Sequence, residues 1–539
     1  MKKIYNFCLL ALSFTLITAC DSGFDALNTS KTGAITLDPA FVLNSAVINS
    51  SPTSSLIYEE AIVQQWFSSN TGVLEGGNFN KLVVNNTPAN WVNYYQNVLK
   101  YTNDVITRTK PTAPNDLTRG NLYHMARILQ ANAFLILTDT YGDIPYTDAA
   151  GGYTAQVFFP KYETQQAIYP KIIDELTTAT AALGSDAAWR VETADALYGG
   201  SITQWKRFGY SLLLRAGMRL SKADAAKAQA TVAAAFAGGV ILANTDNAIV
   251  KHDANFVNGI GNTVNGGEAA NFYLAEPFVK ALRGLAGNVG NTTSLDPRLA
   301  AIAIRYAGAR SGADQLTANI SALPADQYGM PIGSTDGTAD VSGATLPPGG
   351  LYGTPAAPRT GTRFSYSQVD RNRMVKRTSP MFIVTAAQNN LLLAEAAIRT
   401  WVPGGNAQAD TYLKNGIKAH MDQMVSYDAG SAVSAANRDA YVTAEGTLNV
   451  SSQAASLAQI GYQYWVASFL NGPEAWANFR RTGAPALAPN PFSGSAVPGA
   501  FISRLTYPPS ETLVNTKNVT DAIATLGKDD LSTKVWWNK

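Results

Sequence analysis

The chain has 539 residues, 46% of them hydrophobic and only 15% charged, with two cysteines and 41 Lys and Arg against 39 Asp and Glu. That length can bury one large core or a few smaller ones. A near-neutral balance with no long basic run excludes the concentrated positive footprint of a nucleic-acid binder.

Lys2 and Lys3 precede an apolar run from Phe7 to Ile17, which closes on Thr18-Ala19-Cys20. The run is too short for a stable membrane span, which takes about 20 apolar residues. It fits a secretory signal with small residues ahead of the cut. A cysteine directly after that cut resembles a bacterial lipoprotein signal. The resemblance implies removal of residues 1–19 and a lipid on Cys20. Cys8 leaves with the leader, so the remaining thiol is consumed by acylation. A disulfide framework and cysteine-ligated metals are thereby excluded. Losing Lys2 and Lys3 also brings the formal charge to zero. No later stretch reads as a membrane span, so attachment rests on the lipid, at about 0.8 kcal/mol per buried methylene.

Residues 20–40 read as the lipidated N-terminus and a polar tether, followed by one body over 41–539. Within it, helical periodicity dominates 41–243 and 380–539. From Leu117 to Asp139 the apolar positions Leu122, Met125, Ala126, Leu129, Ala133 and Ile136 fall on one face. Lys161–Leu183 repeats the pattern, and so does Thr203–Ser221. Lys222–Ala237 ends at Gly238-Gly239, a C-cap signal. Thr385–Thr400, Asn406–Met424 and Ser452–Leu470 form a matching later set. Helices in succession joined by short turns predict a mainly α fold of tetratricopeptide-like helix pairs. Residues 244–379 differ. Gly, Asn, Asp, Ser, Thr and Pro crowd there, as in Asn258-Gly259-Ile260-Gly261-Asn262 and Pro347-Pro348-Gly349-Gly350. This reads as a loop-rich insertion carried by the helical scaffold, where binding residues tend to sit.

Enzyme signatures are missing from the sequence. His124, His252 and His420 lie far apart without metal-ligand spacing. Neither a nucleophile elbow nor a phosphate-binding loop occurs; Gly259-x-Gly261 reads as part of a polar loop. Asp336 and Asp340 invite a Ca²⁺ reading, but they lack the alternating oxygen ligands of a full calcium loop. No cofactor is expected. Glu395, inside an apolar helix, needs a partner, and Arg480 or Arg481 can supply a bidentate one.

Several segments in order resemble the SusD/RagB family of outer-membrane nutrient-binding lipoproteins, SusD-like branch. They are Ala126-Arg127-Ile128-Leu129 running into Tyr141-Gly142-Asp143-Ile144-Pro145-Tyr146, Trp205-Lys206-Arg207-Phe208, Asp296-Pro297-Arg298-Leu299, Leu391-Leu392-Leu393-Ala394-Glu395, Tyr412-Leu413-Lys414-Asn415-Gly416, Glu474-Ala475-Trp476-Ala477-Asn478-Phe479-Arg480-Arg481, and Arg504-Leu505-Thr506-Tyr507-Pro508. The resemblance implies a helical scaffold under a loop-rich ligand face, at the cell surface on the outer membrane. It implies a partner, a SusC-type TonB-dependent transporter, and a ligand that is an oligosaccharide or, in some members, a peptide. It implies binding without catalysis. A surface glycoside hydrolase is the alternative from another class, and it requires two carboxylates about 5–9.5 Å apart in a cleft.

A sugar offers C–H groups on one face and hydroxyls at its rim, matched by aromatic rings and by Asn, Asp or Arg. Two regions hold that mixture. One is Gln65-Trp66-Phe67-Ser68-Ser69-Asn70 with the turn Gly76-Gly77-Asn78-Phe79, which nominates Trp66 and Asn70. The other is the insertion, with Tyr273, Tyr328, Tyr352, Phe364 and Tyr366, of which the four tyrosines are nominated.

Overall fold

The computed structural model describes residues 37–51, 57–68, 74–152, 156–266, 271–316, 318–335, 346–348, 350 and 361–539. Cys20, Asn70, Asp336, Asp340 and Tyr352 lie outside them. The chain is mainly helical. The helices used below are α1 (Pro39–Asn49), α2 (Ile57–Ile62), α3 (Lys100–Thr109), α4 (Gly120–Tyr141), α5 (Gln165–Ala182), α6 (Ile202–Arg219), α7 (Ala225–Gly238), α8 (Ala386–Ile398), α9 (Gly405–Gln423), α10 (Ala435–Glu445), α11 (Gln453–Ala467), α12 (Gly472–Thr482) and α13 (Thr516–Leu526). All seven helices predicted from periodicity form, with ends shifted by a few residues.

α4 packs on α5, α6 on α7, and α8 on α9, while α5 meets α6 and α8 meets both α6 and α11. These neighbours enclose one large hydrophobic cluster running from Ala40 to Trp537. α8 lies at its centre, and every one of its residues is buried. Its polar residues, Gln388, Asn389, Asn390 and Glu395, lie in the interior as well, each with a hydrogen-bond partner. Its start is fixed by a capping box: the Thr385 hydroxyl accepts from Gln388 N, and the Gln388 side chain accepts from Thr385 N.

Glu395, carried into this core by α8, is met by Arg481 through two bonds, Nη1–Oε1 at 2.7 Å and Nη2–Oε2 at 2.6 Å. Arg399 adds a third at 2.9 Å. Burial would raise this carboxyl, but the two guanidinium groups hold it down at about 2. Arg480 takes another role, lying 3.7 Å from the Trp476 ring centre and donating to Ser503 O. A second buried network joins Asp139, Arg219, Glu474 and Arg215. Trp537 closes the chain end onto it, its Nε1 donating to Asp139 at 2.8 Å. At the end of α4, Gly142 takes φ +80°, and Asp143 Oδ1 accepts from Gln165 N at 2.8 Å.

Helices also appear where periodicity was not read. The predicted tether runs to residue 40, but α1 begins at Pro39. Asp38 caps it by accepting from Ala40 N, and proline presets the first helical φ. Asn258–Asn262, expected as loop, instead opens a short helix over Gly259–Val264. The Asn258 side chain caps it through Gly261 N. A Cβ on Gly261 would stand 2.2 Å from Lys376 O, so the glycine serves close backbone packing.

The insertion is tied down at its root. Ala248–Val250 pairs antiparallel with Met381–Val384, which brings its two ends together. The other strands around it are short. β1 (Trp66–Phe67) pairs with β2 (Tyr273–Leu274). β3 (Ala303–Ala307) lies between β4 (Asn319–Ser321) and β5 (Gln368–Val369), antiparallel to both. Among the described residues, no helix is long and apolar enough to cross a membrane.

α2 carries two adjacent carboxyls, Glu59 and Glu60, into the core. Burial pushes Glu59 up to about 8, against the smaller opposing pull of the Asn90 amide at 2.5 Å and of Arg480. Glu60, Tyr58, Tyr94 and Tyr141 also feel its charge. A carboxyl raised on folding contributes stability that is whole below about pH 4.5 and lost as pH rises through about 8. Glu59→Gln, which mimics the neutral acid, is therefore expected to flatten the fall in urea midpoint between pH 6 and 9. An unchanged slope would show that Glu59 does not carry it.

Candidate functional site

The two regions nominated by sequence meet in space. β1 and β2 pair Trp66 with Leu274 and Phe67 with Tyr273, and Ala275 N donates to Gln65 O at 3.0 Å. Leu274 N donates to Ser367 O, Met330 N to Leu274 O, and Ser367 N to Tyr328 O, all between 2.8 and 2.9 Å. The segments near 66, 274, 329 and 367 are thus woven into one backbone mesh. Phe67, Phe79, Tyr273, Ala275, Met330 and Tyr366 fill it as a cluster separate from the main core.

Polar side chains shape the rim. Asn78 acts as a strand partner for Ser68, accepting from its N at 3.2 Å and donating to its O at 2.7 Å. Asn80 adopts φ +50° and its backbone O accepts from Ala496 N at 2.8 Å, and the Asn490 side chain donates to Asn78 O. These bonds dock the 490–496 turn onto the mesh. On its other side the 76–80 turn lies against α2, and Gly76 serves that contact: a Cβ there would fall 2.0 Å from the Tyr58 ring.

Three of the nominated aromatics are corrected by their placement. Trp66 is 1% exposed, stacked on Phe469 at 6.1 Å and set edge-on to Phe272. Tyr273 and Tyr366 are 2% and 1% exposed, and their rings meet at 6.5 Å. Stacking on a sugar needs an open ring face, and these rings have none; they build the floor. Tyr328 is half-buried at the margin of the cluster. The guanidinium carbons of Arg283 and Arg305 lie 5.1 and 5.0 Å from its ring centre. Arg305 is itself buried, and it donates from Nε to Ser365 O at 2.7 Å.

Two further half-buried rings lie nearby: Phe364, already offered by the insertion, and Phe492, which was not. Phe492 packs on Phe79 at 4.7 Å, with the Lys81 ammonium 5.2 Å from its ring centre. Phe364 packs with Ile304 and Tyr306 on a small neighbouring cluster, and Arg363 lies 4.9 Å from its ring centre. For Phe492 the sequence holds a usable signal, an aromatic inside the turn-forming run Asn490-Pro491-Phe492-Ser493-Gly494.

The chemistry available at this face is stacking and hydrogen bonding. Among the described residues, no group of His, Cys, Asp and Glu could hold a metal ion. Asp139 and Glu474 line one internal cavity, but its volume is only 20 Å³ and Arg219 bonds to both. Against the burial that would raise it, Arg215 and Arg219 keep Glu474 below its ordinary range. Such a pair is committed to ion pairing and has no room for a sugar.

Residues 29–508 match the SusD-like family model described as starch-binding associating with outer membrane. No curated protein matches the chain. Solved structures do. One, titled a chitin-binding protein, is 28% identical with a TM-score of 0.76, over 93% of this chain and all of that one. A SusD-like protein of Bacteroidetes is 24% identical, also with a TM-score of 0.76 and the same coverage. A SusD-like protein from Bacteroides thetaiotaomicron, 19% identical, shares the fold with a TM-score of 0.70, over 93% of this chain and 98% of that one. The family match over nearly the whole chain, on a helical scaffold that carries a loop-built face, places this protein in the SusD-like family.

Proposed function

We propose that the protein is a cell-surface lipoprotein, held in the outer membrane through Cys20, that binds an oligosaccharide on the loop face and passes it to a SusC-type TonB-dependent transporter. The observation that carries this reading is the match over residues 29–508 to a family described by starch binding at the outer membrane. The 28% identical relative titled as chitin-binding supports the same ligand class. The loop face suits the role physically. Phe492 and Tyr328 are held half-exposed on a buried floor, with Lys81 and Arg283 beside them. Rings take the C–H face of a sugar and the polar groups take its hydroxyls. Binding without turnover is the expected activity.

The test is a glycan and peptide array probed with the mature chain. Retention on glycans, with no cleavage on prolonged incubation, is the expected result. Binding confined to peptides would replace the ligand class, and turnover would replace the binding-only reading. The stacking role is checked by calorimetry on a glycan hit: Phe492→Ala is expected to weaken binding by about 1 kcal/mol or more. Its thermal midpoint should stay close to the wild type, because the ring is only half-buried.

A further inference from the structure

Four large apolar side chains stand open to solvent around the start of α1: Leu37, Phe41, Leu117 and Val191, which are 46%, 53%, 55% and 62% exposed. They come from three separate stretches that one knot of bonds draws together. Leu37 O accepts from Arg108 of α3. Asp38, next in the chain, accepts from Arg119 at 2.9 Å and lies 3.8 Å from Arg190. Arg190 N donates to Thr118 O at 2.9 Å, which sets the Leu117 stretch beside the Val191 stretch. Further along α1, Asn44 Nδ2 donates to Ala194 O at 2.7 Å and its Oδ1 accepts from Ala196 N at 2.8 Å. Trp189 is half-buried at the edge of this face, its ring centre 5.4 Å from that of His124.

The charges that build the knot are matched with one another. Arg119 pairs with Glu192 at 2.8 Å as well as with Asp38, and Arg108 pairs with Asp104 at 2.9 Å. Apolar side chains held outward on such a frame, with an aromatic ring at the edge, suit the boundary of a lipid layer. The position of the face in the chain says which layer. Sixteen residues, Asp21 to Thr36, separate Cys20 from Leu37. At full stretch they span at most about 60 Å. A body of this chain length is about 60 Å across, so a tether running round it from the far side would need about 90 Å. With Cys20 held in a membrane, the start of α1 cannot be the far end of the body, and a tether at less than full stretch keeps it on the near side.

We propose that the face around Leu37, Phe41, Leu117 and Val191 rests on the lipid surface of the membrane that holds Cys20, and so sets which way the folded body points. This contact rests on the anchor reading of the preceding subsection and adds to it a second attachment, made by the body itself. Its residues lie outside the loop face. Because the charges in the knot are paired, the contact is with the apolar layer and draws little on headgroup charge.

The test couples the mature chain through Cys20, its single thiol, to a maleimide lipid in phosphatidylcholine vesicles that carry a photoactivatable diazirine on an acyl chain. After illumination, mass spectrometry is expected to find acyl adducts on the peptides holding Phe41, Leu117 and Val191. The peptides holding Leu323 and Val450, comparably exposed on other parts of the body, should carry none. Phe41→Asp combined with Val191→Asp should lower the adducts at Leu117 at least fivefold. Its thermal midpoint should stay at that of the wild type, because both side chains are exposed. Equal adducts at Leu323 and Val450, or adducts at Leu117 unmoved in the double variant, would overturn the proposal. So would a face without adducts, which would leave it to the tether or to a protein partner. The intact mass of the protein extracted from cells checks the anchor separately. A chain with no acyl mass on Cys20 would overturn the anchor reading and the orientation with it, whereas an acylated chain whose face takes no adducts would overturn the orientation alone.

Discussion

Arg481→Met is expected to destabilise the protein by about 3–5 kcal/mol, the cost of leaving a buried carboxylate without its main partner. Glu395 is 4% exposed and its two oxygens are both held by Arg481. Arg399 also reaches Oε1, but its side chain is 25% exposed, and pairs of that kind contribute roughly 0–1 kcal/mol. Arg399→Ala should therefore be much milder. The double variant Arg481→Met with Glu395→Leu should recover most of the loss, because an apolar pair of similar volume removes the unpaired charge. Chemical denaturation of the three variants checks this. Equal losses for Arg399→Ala and Arg481→Met would contradict the assignment of the main partner. The loss should also depend on pH. A carboxyl depressed to about 2 on folding contributes stability present above about pH 4.5 and lost as pH falls through 2.

Trp66→Ala is expected to cost about 3–5 kcal/mol through a core cavity, comparable to other large buried aromatics. The ring touches Phe272 and Phe469 and sits on the strand that joins α2 to the loop face. Trp66→Phe should be tolerated better and should bind ligand almost as well as the wild type. A ligand-stacking tryptophan would behave in the reverse way, with normal stability and lost binding. Thermal unfolding and calorimetry on the same three proteins separate the two outcomes.

The contrast between those residues shows what the sequence could disclose. α4, α5, α6 and α8 were legible because apolar residues recur at helical spacing, and that spacing reports burial directly. Glu395 was legible too, since a charge inside an apolar helix must be paired. The pairing of Arg481 over Arg480 was not, because it depends on the rotation of α12 against α8. The loop face was half legible. Its two segments were named, but about two hundred residues of chain separate β1 from β2, and no local pattern announces that they pair. For the same reason Trp66, Tyr273 and Tyr366 looked like binding residues. An aromatic in a polar, Gly-rich stretch has the same local sequence whether it faces outward or plugs a small core beneath the loops. Phe492 was overlooked because it lies more than a hundred residues beyond the other rings of the site, in a turn among helices. The capped start of α1 hid inside a polar stretch, with Asp38-Pro39 as its only marker.

Under the proposed function a captured oligosaccharide is of use only if its carrier stays beside the pore, so a lipid on Cys20 and the binding face would serve one purpose. The central claim is the location of the ligand. Its most direct test is a crystal structure of the mature chain with an oligosaccharide identified on the array, with affinities measured for the wild type and Phe492→Ala. The account predicts sugar rings lying along Phe492 near Lys81 and Tyr328, with binding weakened in the variant. Sugar density away from that face, with Phe492→Ala binding as the wild type does, would contradict it.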